Sequence, residues 1–331
     1  MRPSTYIFFA TICLSSCGTK TPNETPGQGV ASDTVEIPVE TYNAIKDAAS
    51  KTSVKPVHDA DNFFAIAADD KIMVGNSADI LKNTGISGTD ITLSPDGNSI
   101  AYTDTTGERR QVHIYNISTQ KDQQLDLGDY NYRARSFSPD GNYLAVCCQF
   151  DEFSCMIILY DLRDGSLSNV VNPDSQSLYN PTFSPDGALM VCHDMRKVFV
   201  YTFNEGITKH IKSISCDNLC IDNDLSINPT CQLQLTSSHD KIVYTCADYG
   251  TERANFRHLN IYDIKTGKIH KILSDSQSCK DFEVSDDGNI YFLMESDSVH
   301  SVACLANLSD LNPVALSDKK FSNATALRVA Y

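Results

Sequence analysis

Residues 137–148, FSPDGNYLAVCC, decide the fold of this 331-residue chain. A Pro-Asp-Gly turn opens a run of apolar residues, a combination typical of a tight hairpin that leads into a buried strand. Proline presets the first turn position, aspartate caps the turn through its side chain, and glycine adopts the positive φ that closes the hairpin. The stretch ends in two adjacent cysteines, which such a hairpin does not require.

The same turn recurs along the chain. Intact copies begin at residue 93 (LSPDGNSIAY) and residue 183 (FSPDGALMV), and weaker ones at residue 235 (LTSSHDKIVY) and residue 284 (VSDDGNIYF). Their Ser or Thr falls at positions 94, 138, 184, 236 and 285, so the sequence contains an internal repeat of roughly 45–50 residues. The turn residues, which we interpret as structural, are Pro95, Asp96, Gly97, Pro139, Asp140, Gly141, Pro185, Asp186, Gly187, Asp287 and Gly288.

A second element follows each turn at a similar distance. It is rich in Ile, Val and Tyr, ends in a turn and leads into a further short strand, so each unit is predicted to hold four antiparallel strands. Four such strands in about 45 residues are typical of a propeller blade. The copies of this second element are VHIYNIST (112–119), MIILYDLRDG (156–165), VFVYTFNEG (198–206) and LNIYDIKTG (259–267).

These units resemble the WD40-like repeats of TolB-type β-propellers, whose mark is S-P-D-G before the second strand. The resemblance covers about residues 61–331 and implies an all-β propeller of four-stranded antiparallel blades. The chain contains no tryptophan, so the Trp-Asp dipeptide of ordinary WD40 repeats is absent.

The two ends of the repeat region complement each other. Residues 62–83 fit the second, third and fourth strands of a blade that lacks its first strand, whereas residues 323–331 provide a surplus first strand. We therefore expect six blades, in a ring closed by residues 326–331, which removes the free sheet edges. Seven blades are the alternative if the long segment after Tyr201 holds additional strands.

The N-terminus is predicted to carry a lipoprotein signal. Arg2 precedes a nine-residue apolar stretch, which is too short to cross a bilayer but has the length of a signal-peptide core. The stretch ends in Leu-Ser-Ser-Cys, which resembles the lipobox of bacterial lipoproteins and implies cleavage after residue 16 and lipidation of Cys17. The alternative is an ordinary secretion signal. We interpret residues 17–60 as a flexible tether with a possible short helix at 39–50.

The net charge and the absence of certain motifs disfavour several classes of function. The formal net charge is −15 and no Lys/Arg cluster offsets it, so nucleic acid is an unfavourable partner. The G-x-S-x-G motif of serine hydrolases is absent, and no pair of histidines has the spacing of a metal site. The loop containing Asp217, Asp222 and Asp224 lacks the Gly and Glu of a calcium loop, so we expect neither a metal nor another cofactor.

The cysteines predict an oxidising compartment. Ten cysteines follow Cys17, and an even number in an exported chain favours disulfides, with buried thiols as the alternative. Cys148 and Cys155 flank a predicted hairpin turn, and the other candidates lie in the long segment after Tyr201, where a disulfide could restrain the loop. Those candidates are Cys216, Cys220 and Cys231.

Together these features predict a non-catalytic lipoprotein of the cell envelope, with the outer membrane as the favoured location. The ring would be a monomeric scaffold that binds an envelope protein or a small ligand. The alternative is a propeller enzyme of lyase, lactonase or hydrolase type, with residues of several blades meeting in the channel.

Overall fold

The described part of the chain forms a six-bladed β-propeller preceded by one short helix. The computed structural model describes residues 38–52, 63–151, 154–174, 177–220, 224–248 and 256–330. These residues form six antiparallel sheets, each with a meander of four strands, so the predicted fold class and blade number are confirmed.

The first three blades follow one another along the chain. Blade 1 begins with β1 (Phe63–Ala68), β2 (Lys71–Gly75) and β3 (Lys82–Asn83). Blade 2 consists of β4 (Thr89–Leu93), β5 (Ser99–Asp104), β6 (Gln111–Asn116) and β7 (Lys121–Gln124). Blade 3 consists of β8 (Asn131–Phe137), β9 (Tyr143–Gln149), β10 (Cys155–Asp161) and β11 (Leu167–Asn169).

The other three blades continue the pattern. Blade 4 consists of β12 (Tyr179–Phe183), β13 (Leu189–His193), β14 (Lys197–Asn204) and β15 (Ile207–Ser215). Blade 5 consists of β17 (Leu233–Leu235), β18 (Lys241–Asp248), β19 (Arg257–Asp263) and β20 (Ile269–Lys271), with the short β16 (Leu225–Ser226) added beside β18. Blade 6 consists of β21 (Cys279–Val284), β22 (Asn289–Glu295), β23 (His300–Asn307) and β24 (Asp310–Ser322).

The last strand closes the ring. Strand β25 (Ala326–Ala330) pairs antiparallel with β1, with Arg328 opposite Ala65, and thereby becomes the innermost strand of blade 1. The predicted closure by residues 326–331 is confirmed over Ala326–Ala330. Over its described residues, the long segment after Tyr201 does not form a further blade: it holds β15, a 3-10 turn at Cys216–Asn218 and β16.

Each repeated turn joins the innermost strand of a blade to its second strand. In blade 3 the Ser138 hydroxyl donates to Asp140 and accepts from the main-chain N–H of Tyr143 at 2.9 Å. Gly141 follows with a φ of 72°, a conformation that side chains with a Cβ rarely adopt. The serine is thus a central polar group of the turn, although the repeat motif predicts a role only for Pro, Asp and Gly.

The hydrophobic core consists of apolar layers between adjacent blades. Between blades 3 and 4, the Phe203 ring lies edge-on to Phe183, with centroids 4.8 Å apart, and edge-on to Tyr143, at 5.3 Å. Because each blade buries both of its faces against its neighbours, the ring is rigid and its inner strands are fixed in place.

The helix α1 (Pro38–Ala49) packs against the ring. Proline at the first helical position and Glu40 in the first turn both favour a helix start. Ile45 and Ala49 are buried in the apolar layer shared by blades 4 and 5. The rest of the predicted tether, residues 17–37 and 53–60, lies outside the described residues. Within the described part of the chain, no helix is long and apolar enough to span a membrane.

The axial channel and its basic mouth

The inner strands of all six blades line a polar channel. Side chains alternate along a strand, so every second residue of each inner strand faces the axis while its neighbours pack into the blade layers. The channel-lining residues include Asp90, Thr92, Arg133, Arg135, Asn180, Thr182, Gln232, Gln234, Asp281, Glu283 and Arg328.

Irregular strand pairing directs some of these side chains into the channel. The pairing register of β4 with β5 shifts between Thr89 and Thr92, and that of β12 with β13 shifts between Tyr179 and Thr182. Within these bulges, Asp90 and Asn180 have φ values of 49° and 48°. Asp and Asn tolerate this left-handed conformation better than most residues, and bulges commonly re-aim side chains near functional sites.

An ion-pair cluster joins blades 2 and 3 in the channel. Asp90 lies 3.3 Å from the Arg133 guanidinium and 3.2 Å from that of Arg135. Burial alone would raise the pKa of Asp90, but Arg135 and Arg133 outweigh it and hold this pKa below its usual value. One carboxylate therefore serves two guanidinium groups.

A second cluster joins blades 5, 6 and 1. Asp281 is almost fully buried and accepts hydrogen bonds from Gln232, from Arg328 and, at 2.7 Å, from the main-chain N–H of Leu327. Because Leu327 and Arg328 belong to β25, this carboxylate connects blade 6 to the strand that closes the ring.

Glu283 lies in the same cluster and titrates near neutrality. Its carboxylate is 3.4 Å from the Arg328 guanidinium and accepts a hydrogen bond from Gln234, also at 3.4 Å. Burial and the charge of Asp281 outweigh Arg328 and raise the pKa of Glu283 to about 7. The channel therefore contains one carboxyl group whose charge changes near neutral pH.

One end of the channel opens into two adjoining cavities. The first, of about 440 Å³, is lined by Arg133, Arg135, Arg257 and Lys280. The second, of about 350 Å³, shares Arg133 and Arg135 with the first and adds Arg110; the Asp90 carboxylate and the Asp281–Arg328 ion pair also line it. We refer to this end as the basic mouth and define it by Arg110, Arg133, Arg135, Arg257 and Lys280. The repeated turns lie at the opposite end, where Pro95, Pro139 and Pro185 line a smaller cavity.

Two of the cysteines lie in the basic mouth. Cys147 and Cys155 line its larger cavity, where the Cys155 thiol donates a weak hydrogen bond to the main-chain carbonyl of Met156, at 3.9 Å. The neighbouring thiol of Cys155 and the nearby Arg135 lower the pKa of Cys147, although burial opposes them. Cys148, predicted as the partner of Cys155, faces the other side of the sheet and packs with Tyr132 in the layer between blades 2 and 3.

The remaining candidate cysteines lie between blades 4 and 5. Cys216 and Cys231 are buried there, and the main-chain N–H of half-buried Cys220 donates to the carbonyl of Cys216 at 3.1 Å, while the neighbouring thiol of Cys246 lowers the pKa of Cys220. All ten cysteines of the described chain carry free thiols in the structure, so the disulfides stay a prediction.

The structure says little about the other sites predicted from the sequence. Cys17 and Asp222 lie outside the described residues. Over the described ranges, no group of three or more His, Cys, Asp or Glu residues has an arrangement that could hold a metal ion. Carboxylates do converge in the channel, from blades 2 and 6, but arginines hold each of them.

Comparison with known proteins adds information on the fold. No family model matches the sequence, and no curated protein matches it. Among solved structures, TolB from Acinetobacter baumannii superposes with a TM-score of 0.59 at 16% identity, over 83% of this chain and 68% of that one. A TolB-type protein of Agrobacterium tumefaciens gives 0.51 at 11% identity, over 80% of this chain and 90% of that one.

A propeller outside the Tol system is similarly close. A chain of the nidogen–laminin complex superposes with a TM-score of 0.56 at 9% identity, over 82% of this chain and 98% of that one. The chain shares the propeller fold with all three. At these identities, the likeness concerns the fold alone, and function has to be argued from the channel.

Proposed function

We propose that this protein is a non-catalytic binding scaffold of the cell envelope, held at the membrane by a lipid on Cys17, and that the basic mouth is its binding site. The observation that carries the proposal is the basic mouth itself. A rigid ring brings cationic side chains of several blades around cavities of about 440 and 350 Å³, in a chain whose net charge is −15.

The shape of the site supports binding by a preformed surface. The inner strands that carry the mouth are each paired within a blade and packed between two neighbours, so little order has to be gained when a partner binds. Cavities of 300–1,000 Å³ are of the size that commonly holds small ligands or side chains of a partner. TolB-type structures have the same fold, which agrees with a scaffold role.

Site-specific photo-cross-linking tests the location of the binding site. A photoreactive amino acid at Thr325, which is exposed and lines both cavities, should cross-link the full chain in cells to a defined envelope component. The matched control is Ile207, the first residue of β15, which is 71% exposed and lies at the opposite end of the ring. Cross-linking at Ile207 but not at Thr325 would contradict the proposed site.

The lipid anchor is tested separately with Cys17→Ala. We expect the unaltered chain to fractionate with membranes as a monomer and to incorporate labelled fatty acid. The variant should retain its signal sequence without lipid. A variant that still incorporates fatty acid would refute Cys17 as the lipidation site, whereas the proposed binding site would stand.

A further inference from the structure

The basic mouth carries more positive charge than its own carboxylates neutralise. Arg133 and Arg135 share the single carboxylate of Asp90. Lys280 has its own partner, Glu295, at 2.5 Å. Among the described residues, neither Arg110 nor Arg257 lies within ion-pair distance of a carboxylate, although Asp90 attracts Arg110 and Glu295 attracts Arg257 from further away. Arg257 donates to the main-chain carbonyl of Lys280, at 3.0 Å.

The arginines of the mouth also affect one another. Arg133 is the main cause of the lowered pKa of Arg110, because its positive charge disfavours a second one nearby, and the opposing charge of Asp90 does not outweigh it. Among the residues that the structure describes, the buried Nε–H of Arg135 has no hydrogen-bond partner, so Asp90 does not satisfy this guanidinium fully. An anion placed between these groups would relieve the repulsion and compensate the excess charge.

We propose that the basic mouth binds a small-molecule ligand with at least two oxyanion groups, carboxylate or phosphate, using Arg110 and Arg133 on one side and Arg257 on the other. The inference rests on the proposed binding site and specifies its ligand class. The two sets of arginines come from different parts of the ring, blades 2 and 3 against blade 5, so a ligand with separated charges would contact both. Guanidinium groups suit both kinds of oxyanion because their N–H groups bind two oxygens at once.

The negative net charge of the whole chain limits which anions the basic mouth can bind. An acidic surface repels anions in general, so an anion that binds here must gain from close contact with the arginines rather than from the field of the whole protein. Such contacts weaken with salt, and the test is therefore best made at low ionic strength.

Isothermal titration calorimetry on the full chain tests the proposal with two probes. Citrate represents carboxylates, pyrophosphate represents phosphates, and glycerol serves as the uncharged control. We expect at least one anion to bind, and the tighter of the two identifies the source of the oxyanion. Arg110→Gln and Arg257→Gln should each weaken its binding by about tenfold or more, as for the loss of a charged hydrogen bond.

The chain provides a matched control in the adjacent residue. Arg109→Gln removes the same charge one position away, but Arg109 is exposed and bonded to the main chain of Asp129, outside the cavities. Its binding should match that of the parent, and Arg110→Lys should recover part of the affinity. A thermal melt checks that each variant is folded; because Arg110 and Arg257 belong to different blades, one misfolded variant leaves the other decisive.

Two results would overturn the proposal: no heat of binding with either anion, or an equal loss of affinity in Arg109→Gln and Arg110→Gln. If Thr325 still cross-links to an envelope partner in that event, only the ligand class is wrong. If an anion binds as expected but Thr325 yields no cross-link, the mouth is a small-molecule site and the partner-binding role fails.

Discussion

The Asp281 carboxylate accepts a hydrogen bond from the main-chain N–H of Leu327, 2.7 Å away, across the junction where the last blade meets the first. Leu327 lies in the strand that completes blade 1, so a single buried carboxylate holds the closing strand through its backbone. Arg328, the next residue, bonds the same carboxylate with its side chain. Ring closure therefore depends on polar contacts in the channel as well as on strand pairing.

Deleting residues 323–331 should lower the melting temperature sharply. The deletion leaves β1 with an unpaired edge, removes the buried side chains of Leu327 and Val329, and leaves Asp281 without its partners in β25. Thermal unfolding followed by circular dichroism measures the effect. An unchanged melt would mean that the terminal strand does not support the ring.

Asp281→Asn should destabilise the protein by about 3 kcal/mol, because it removes one charge of a buried ion pair and leaves Arg328 with Glu283 alone. Chemical denaturation gives the free energy of unfolding. The matched control is Asp129→Asn, where the carboxylate is fully exposed and its ion pair with Arg109 should contribute less than about 1 kcal/mol. Equal effects in the two variants would argue against a closing role for Asp281.

Gly141→Ala should cost about 1 kcal/mol through backbone conformation alone. A Cβ at this position would meet no atom within 4 Å, so the cost comes from the φ of 72° and not from a clash. Gly107→Ala is the comparison, because that glycine is also in a turn but does not have a positive φ and its Cβ would meet only ordinary contacts. If the two substitutions have the same effect on unfolding, the turn does not need the left-handed conformation.

The fold could be predicted because its signal is repeated. The turn residues from Pro95 to Gly288 recur at regular spacing, and the missing first strand at one end matched the surplus strand at the other. The ring is a sum of similar units, so local sequence determines most of it.

The channel could not be predicted in the same way, although part of its signal is present. In four of the five repeats, polar residues stand four and two positions before the turn Ser or Thr, as Asp281 and Glu283 do before Ser285. In blade 3 a bulge between Ala134 and Ser136 shifts the pattern, so the charged pair is Arg133 and Arg135. Which charges meet across the axis depends on ring geometry, which no single repeat contains.

The cysteine pairing shows the same limit at short range. Cys148 was predicted to pair with Cys155 because the two flank a turn. In the register, however, Cys147 lies opposite Ile157, and Cys155, two residues before Ile157, shares its face of the sheet. One position in a strand decides which face a side chain occupies, and flanking a turn does not fix that position.

Protein exported to an oxidising envelope should therefore form disulfides between Cys147 and Cys155 and between Cys220 and Cys246. The two thiols of each pair are close enough for one to lower the pKa of the other. Peptide mapping by mass spectrometry without reduction identifies the linked peptides. Cys147→Ser should leave Cys155 as a free thiol, whereas Cys148→Ser should leave the linkage intact. A disulfide between Cys148 and Cys155 would contradict this prediction.

Glu283→Gln should change the pH dependence of stability between about pH 4.5 and pH 7. The pKa of Glu283 is raised from 4.5 to about 7 in the folded ring, because burial and Asp281 outweigh Arg328 and the hydrogen bond from Gln234. In this window Glu283 keeps its proton in the folded state, whereas it has lost the proton in the unfolded state. The contribution of Glu283 to the free energy of unfolding is therefore fully present below pH 4.5 and is lost as the pH rises through 7. The expected change is on the order of 3 kcal/mol.

The parent profile alone would hide this effect, because buried His193 acts in the opposite direction. Burial lowers the pKa of His193 to about 4, so its contribution to stability is lost as the pH falls from 6.5 towards 4. The measurement is therefore the difference in unfolding free energy between variant and parent at each pH. As the pH rises from about 4.5 to 7, this difference should change so that Glu283→Gln becomes more stable relative to the parent. Glu295→Gln is the control, because the lowered pKa of Glu295 places its titration below pH 4.5. If the difference in unfolding free energy between Glu283→Gln and the parent does not change with pH, the raised pKa of Glu283 is contradicted.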